Sequence, residues 1–301
     1  MKNNKAYIIT GPTSGIGYAT ALELAKHGTV ILVGRNAEKL SQIQNEIKAK
    51  GYNAMPVVCD ISDIKSVKRA SEQIIALKLP LAGLLNNAGI MPAKPAKSAQ
   101  GWDMTFATNH LGAFALTEAL APHLIDGANV VFIASAIEDP ERKPAKIMGM
   151  KGGRYLSAEA SARGEWKTGG SKMPGIDAYA TSKQCILAAA MALARENPKL
   201  NYNAVEPGIT RGTGLGGEST NAFVRFLFGH LMAIIPPFSA YSSTPKKSAI
   251  VITKILTDGS GKTGMYFDEK GKPMDGSAQV RDPEFQDRVV NETRALLSIV
   301  K

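Results

Sequence analysis

Short runs of aliphatic and β-branched residues recur along the chain, and each is followed by a longer stretch whose apolar positions repeat at helical spacing. The runs predict strands at Ala6–Thr10, Val30–Val33, Ala54–Val58, Gly83–Asn86, Asn129–Ala134, Tyr202–Val205 and Gly264–Phe267. The stretches between them predict helices at about Ile16–His27, Ala37–Ala49, Ile64–Leu77, Gly101–Leu124, Asp177–Glu196 and Thr244–Leu256. Uniformly apolar strands alternating with helices indicate a parallel sheet covered on both faces. The expected architecture is therefore α/β, a doubly wound parallel sheet of about seven strands, built as a single domain over residues 1–301.

Two segments depart from this alternation. Residues 137–176 are rich in Gly, Lys and Pro and exceed an ordinary connection, so they read as an insertion near a site. From Glu141 to Lys172 there are eight Lys or Arg against three Glu, a local charge of +5. That composition predicts a solvated, mobile insertion in preference to an anion-binding patch. The second segment spans about 215–243. In Ala222–Phe238, large apolar side chains are interrupted only by Arg225, Gly229 and His230, and Pro236–Pro237 ends the run. It is short for a membrane span and contains an Arg. The first reading is a lid over an apolar substrate pocket, the second a peripheral membrane contact.

Composition narrows the function classes. An apolar content of 44% is ordinary for a globular core. The net charge of +10 comes from basic residues scattered among acids without an aromatic-interleaved stripe, so a phosphorylated small ligand is a simpler partner than nucleic acid. Cys59 and Cys185 have no paired-thiol spacing, so neither a metal site nor a disulfide is expected. Residues after Met1 run directly into the first strand with no leader-like apolar region, which predicts a cytoplasmic protein.

The first strand leads into Thr10-Gly11-Pro12-Thr13-Ser14-Gly15-Ile16-Gly17 and then a helix. Glycines at that junction let the backbone approach a pyrophosphate, and free amides with the helix dipole stabilise the anion. Gly34 and Arg35 follow the second strand. NAD-selecting folds place an acid there, about 20 residues past the glycines. A guanidinium instead suits a 2′-phosphate, so NADP(H) is favoured over NAD. Asp60, after the third strand, either accepts from the adenine amine or caps the next helix.

Tyr179 and Lys183 stand four residues apart on one helical face. An ammonium one turn from a phenol that titrates at about 10 would favour the phenolate and bring it nearer to working range. Alone, the pair leaves open proton transfer or a solvated surface pair.

At this point the chain resembles the classical short-chain dehydrogenases/reductases over nearly its full length. The resemblance is carried by Thr10-Gly11-x-x-x-Gly15-x-Gly17, Asn86-Asn87-Ala88-Gly89, Asn109 in Asn-His-Leu-Gly, Ser135, Tyr179-x-x-x-Lys183 and Pro207-Gly208-Ile209-Thr210. Asn-His-Leu-Gly, Gly264–Phe267 and Arg281–Phe285 look most like the branch of retinol dehydrogenases and protochlorophyllide reductases, which handles bulky apolar substrates. Ser135 and Tyr179 are 44 residues apart, a wider gap than is usual in the family, and the basic insertion accounts for it.

The resemblance implies a Rossmann-type fold and an NADP(H)-dependent oxidoreductase that interconverts a carbonyl and an alcohol. Tyr179 would be the general acid or base, Lys183 would tune it and hold the cofactor ribose, Ser135 would bond the substrate oxygen, and Asn109 would hold a water joining Lys183 to solvent. Cofactor contacts would come from Gly11, Thr13, Ser14, Gly15, Ile16, Gly17, Arg35, Asp60, Ile61, Asn87, Ala88, Gly89, Tyr179, Lys183, Pro207, Gly208 and Thr210. The alternatives are an NAD-dependent alcohol dehydrogenase of the same family and a noncatalytic dinucleotide sensor on the same fold. The apolar faces of helices 101–124 and 177–196 are candidate homodimer or homotetramer contacts.

Overall fold

The computed structural model describes residues 4–92, 94–172, 175–210 and 238–300. Most of the expected lid, and with it the membrane-contact reading, lies outside the described residues. Among those that are described, no helix is long and apolar enough to cross a membrane.

Strands β1 (Ala6–Thr10), β2 (Thr29–Gly34), β3 (Ala54–Val58), β4 (Leu81–Asn86), β5 (Leu124–Ile133), β6 (Asn201–Val205) and β7 (Met265–Phe267) form one parallel sheet. Their order is β3-β2-β1-β4-β5-β6-β7. β3 pairs with β2 and lies at the sheet edge, where Pro56 can be tolerated because it need not donate to a second neighbour. A two-residue ladder, Ile209–Thr210 with Ser242–Ser243, stands apart.

Alternation along each strand builds two cores. Ile8 packs with Ile31, Leu84, Val130 and Phe132 on one face, while Ile9 packs with Leu32, Leu85 and Val131 on the other. Helices α1 (Gly15–Leu24) and α2 (Ala37–Ala49) help close the second core. Helix α3 (Ile64–Ala76) packs on the first, capped by the Asp63 side chain accepting from the Lys65 amide.

The helix expected over 101–124 is interrupted. A turn at Met104–Phe106 passes into a π-helix at Ala107–Gly112, and helix α4 runs over Ala113–Leu120. A 3₁₀ turn containing Pro122 ends it, so β5 begins at Leu124, earlier than its apolar run suggested. Gly112 permits the close packing: a Cβ there would lie 1.7 Å from the Ile61 carbonyl oxygen. π-Helical turns are rare and often mark functional positions; this one carries Asn109.

Most basic residues of the insertion are exposed, as a solvated stretch requires, but part of the segment is packed against the core. The insertion contains helices α5 (Lys143–Ile147) and α6 (Ala158–Arg163). Tyr155, Ala158 and Ala162 join a core with Phe106, Leu111, Cys185, Ala188, Phe285, Val289 and Leu296. Two of these lie on α7 (Ile176–Glu196), and α8 (Pro245–Leu256) closes the opposite side of the sheet. The last three lie on α9 (Pro283–Ser298), a C-terminal helix that the strand and helix pattern left unassigned. Local charge predicted exposure, but the apolar residues between the lysines decide where this chain goes.

Candidate active site

A cleft of about 690 Å³ opens at the carboxyl ends of β1 and β4, where the strand order reverses. Gly11, Thr13, Ser14, Gly15, Ile16 and Gly17 line it. At Gly17 an added Cβ would lie 2.1 Å from the Gly11 carbonyl oxygen and 2.5 Å from the Asn87 side-chain nitrogen, so only glycine lets helix and loop approach this closely. Asn36, Asp63, Thr244 and Asp282 cap their helices with side-chain oxygens. Ser14, at the N-terminus of α1, makes no side-chain capping bond. Its helix end faces the cleft, which suits an anion.

Asn87, Ala88 and Gly89 form the opposite wall. The Asn87 side chain donates to the carbonyl oxygens of Thr10 at 2.9 Å and Gly11 at 3.1 Å. The Thr10 hydroxyl accepts from the Asn87 amide at 3.0 Å and the Ala88 amide at 2.9 Å. These bonds lock β1 to β4 and hold the glycine loop in shape, so Asn87 acts on the loop as well as lining the cleft.

At the outer end, exposed Arg35 is joined by Asn36 and Lys39. Lys39 was missed in the sequence, although it stands four residues past Arg35 in the first turn of α2 and doubles the positive charge there. Asp60 and Ile61 form part of the floor. The Asp60 carboxylate accepts from the Ser62 amide at 2.9 Å and its hydroxyl at 2.7 Å. The helix cap is Asp63, which removes the capping alternative for Asp60. A bare helix end, a backbone cradle and a distal cationic pair together fit a dinucleotide.

Tyr179, Lys183 and Pro207 line the inner end of the cleft. α7 presents Tyr179 and Lys183 on one face, with the ammonium 5.6 Å from the ring centroid. Lys183 Nζ donates to the Ile133 carbonyl oxygen at 2.6 Å. Ser135, just past β5, lies near enough to the Tyr179 phenol to ease its ionisation. Three of the four residues expected to do chemistry therefore converge.

Asn109 stands behind them. Its Oδ1 accepts from the Ile90 amide at 2.8 Å, and its Nδ2 donates to the Ile90 carbonyl at 2.9 Å and the Ser182 hydroxyl at 3.0 Å. These protein partners give it a bracing part between the chain at Ile90 and α7. Gly208 and Thr210 shape the turn behind Pro207, the Thr210 hydroxyl bonding the carbonyls of Pro207 and Gly208, both at 3.1 Å.

The electrostatics reverse one expectation. Burial pushes the Tyr179 phenol well above its usual range, the Glu206 carboxylate adds to the rise, and Ser135 opposes it. Burial pulls Lys183 down to about 8, against the pull of Glu206. Desolvation is the largest influence on both groups, because both are enclosed. Glu206 was not foreseen. An acid ending an apolar strand directly before Pro207 was the signal for it.

A family model described as "short chain dehydrogenase" matches residues 5–143. Short-chain dehydrogenase TIC 32 A, chloroplastic, of Brassica napus is 30% identical over 277 residues, covering 86% of this chain and 78% of that protein. The chain belongs to the short-chain dehydrogenase family. Retinol dehydrogenase 13 of Homo sapiens is 28% identical over 306 residues, covering 98% of this short-chain dehydrogenase and 85% of the relative. Together with retinol dehydrogenase 12 of Mus musculus, this places it in the retinol dehydrogenase-like branch. A short-chain dehydrogenase from Burkholderia cenocepacia, solved in complex with NADP, shares the fold, with a TM-score of 0.66, 22% identity and coverage of 88% of this chain and 95% of that one. As a member of the family the protein is an oxidoreductase, and its cleft fits the nicotinamide dinucleotide that the family binds.

Proposed function

We propose that this oxidoreductase uses NADP(H) to interconvert a carbonyl and an alcohol on a bulky apolar substrate, working as a reductase near neutral pH. The observation that carries the reading is the meeting of Tyr179 and Lys183 at the inner end of a dinucleotide cleft whose outer end holds Arg35 and Lys39, with Ser135 beside the phenol. When bound, the nicotinamide supplies or accepts the hydride. The glycine loop and the N-terminus of α1 would hold the pyrophosphate, Arg35 and Lys39 the 2′-phosphate, and Lys183 the ribose.

During reduction, negative charge develops on the substrate oxygen. Ser135 donates a hydrogen bond to it, and the Tyr179 hydroxyl delivers the proton. At neutral pH the phenol is protonated, the state that a proton donor needs, and burial moves it further from ionisation. In the alcohol-oxidising direction the same oxygen must first lose its proton, which the raised phenol resists. This asymmetry favours reduction.

The substrate class rests on kinship. Relatives named for retinol and polyprenol oxidation support a long apolar alcohol or its carbonyl. The apolar run at 222–238 agrees in composition. Titrating the protein with NADPH and NADH while following nicotinamide fluorescence, then assaying NADPH oxidation with long-chain aldehydes and ketones, tests the reading. Tighter NADPH binding and turnover of apolar carbonyls are expected, whereas NADH preference or binding of neither nucleotide would refute it.

A further inference from the structure

Glu206 has no part in the chemistry above, yet it is among the most enclosed charged groups at the site. It follows β6 directly, its amide donates to the Phe267 carbonyl at 2.8 Å, and the residue is 9% exposed. One carboxylate oxygen accepts the amide of Ala136, the residue after Ser135. The other accepts the amide of Gly208 at 3.0 Å. A single side chain thus ties the loop that carries Ser135 to the turn that carries Pro207.

The surrounding groups show that charge is part of the arrangement. The charge of Arg142, in the segment before α5, favours the ionised form of Glu206, and that of Glu269, in the chain after β7, opposes it. Glu138, beyond the Ser135 loop, is held by the Ser277 amide at 2.8 Å and hydroxyl at 2.6 Å, and it also feels Glu206. Tyr266 on β7 has a buried hydroxyl without a hydrogen-bond partner and faces both acids. From α7, Tyr179 and Lys183 sense the same charge. Burying a carboxylate costs stability unless it is well bonded, and burial raises Glu206 above the usual carboxylate range, but the amides of Ala136 and Gly208 and the charge of Arg142 oppose that rise and favour the ionised form. A negative charge retained beside a proton donor and its lysine therefore points to electrostatic work.

We propose that Glu206 is a positioning residue of the reaction, strapping the Ser135 loop to the Pro207–Gly208 turn and setting a carboxylate charge at the end of β6, next to the strand end that Lys183 holds. The inference rests on the reading of Tyr179 as proton donor. Removing the charge lets Tyr179 and Lys183 lose their protons at lower pH. Glu206→Gln therefore moves the alkaline limb of carbonyl reduction down by about one pH unit. Glu206→Asp keeps the charge but shortens the reach, so its limb stays in place while kcat falls. Arg142→Gln leaves both strap bonds intact and makes the pocket more negative, so its limb moves up.

The experiment measures pH–rate profiles for the wild type and the three variants, with thermal melts to establish folding. Alongside, the tyrosinate absorbance that Tyr179→Phe abolishes is titrated in the wild-type and Glu206→Gln backgrounds. Earlier ionisation in the Gln variant and opposite limb shifts for Glu206→Gln and Arg142→Gln support the proposal. Folded variants whose limbs and tyrosinate signal stay in place overturn it. If the Gln variant fails to fold, an unmoved limb in Arg142→Gln overturns it alone. The absorbance titration needs no turnover, so loss of the reductase reading and loss of this proposal are told apart.

Discussion

The Lys183 ammonium donates to the carbonyl oxygen of Ile133, the last residue of β5, at 2.6 Å. One cation thus ties α7 to the strand leading into Ser135 and sits on the cleft wall beside Gly89. Tyr179, one turn earlier, has Ser135 beside its hydroxyl. The two residues should fail differently. Tyr179→Phe removes the transferable proton alone, so turnover falls by roughly 10²–10⁴-fold while NADPH affinity stays near wild type. Lys183→Met removes the cation proposed to hold the ribose and the tie to β5, so affinity and turnover should both fall. Fluorescence titration with single-turnover kinetics separates these outcomes, and appreciable turnover in Tyr179→Phe would exclude it as the acid.

Arg35 and Lys39 lie together at the mouth of the cleft and both are exposed. Each charge-assisted bond to a 2′-phosphate contributes roughly 1.5–3 kcal/mol, about tenfold or more in affinity. Arg35→Ala and Lys39→Ala should each weaken NADPH binding by about that factor and leave NADH binding unchanged. Exposure makes the contribution sensitive to salt, so added salt should narrow the preference. Equal loss for both nucleotides would mean that these side chains hold the adenine or the backbone instead.

The Tyr155 hydroxyl donates to Glu292 at 2.6 Å, and the same carboxylate oxygen accepts the Ala158 amide at 2.9 Å. One acid on α9 thereby fixes the insertion in two places. Glu292→Ala leaves two donors without an acceptor, at a cost of about 1–3 kcal/mol each. Urea unfolding should show a lowered midpoint, and proteolysis should cut first within 150–172. A midpoint equal to that of wild type would mean that water replaces the carboxylate at no cost.

How far these features were legible in the sequence depended on whether the signal was local. The seven strands appeared because each is a short apolar run, and the glycine loop because its residues are contiguous. The packing of the insertion was missed since its lysines are conspicuous, whereas Tyr155, Ala158 and Ala162 acquire meaning only against Phe285 and Val289 on a distant helix. That helix carried readable signals: Asp282 as cap, Pro283 in the first turn, and buried Phe285, Val289, Val290, Thr293 and Leu296 at helical spacing. The π-helix at Ala107–Gly112 left no local signal, and the close approach of its Gly112 to Ile61 joins residues far apart in the chain. Glu206 could be seen as an acid before a proline, but its two amide partners come from separate loops.

His110 lies on the π-helix between Phe106 and Phe114, with ring centroids 5.0 and 6.0 Å away. Its Nε2 meets the Thr293 hydroxyl at 2.8 Å, while Nδ1 is buried without a partner. Burial pulls its pKa from 6.5 to about 3. The unfolded chain therefore takes up a proton that the folded one refuses. The contribution to stability is fully present above about pH 6.5 and is lost as pH falls toward 3. By pH 4.5 the loss is roughly 2–3 kcal/mol. Urea unfolding at pH 7 and 4.5 should show this loss in the wild type and a smaller one in His110→Gln.

Helix faces that suggested subunit contacts are covered within one chain. Cys185 and Ala188 on α7 and Leu111 beside α4 are buried against Phe285 and Val289 of α9 and against the insertion. Arg294 adds a clamp across the rim, bonding Glu118 at 3.1 Å and Glu196 at 2.7 Å. These exposed pairs contribute modestly, so the apolar contacts carry the closure. The expected state in solution is a monomer with a mass near 32.0 kDa. Sedimentation at two concentrations should return that mass at both. Val289→Asp places a charge in this core and should lower the free energy of unfolding by about 2–5 kcal/mol, as large core disruptions do. If the wild type instead sediments as a dimer, its contacts must use another face, because this one is already filled by the chain itself.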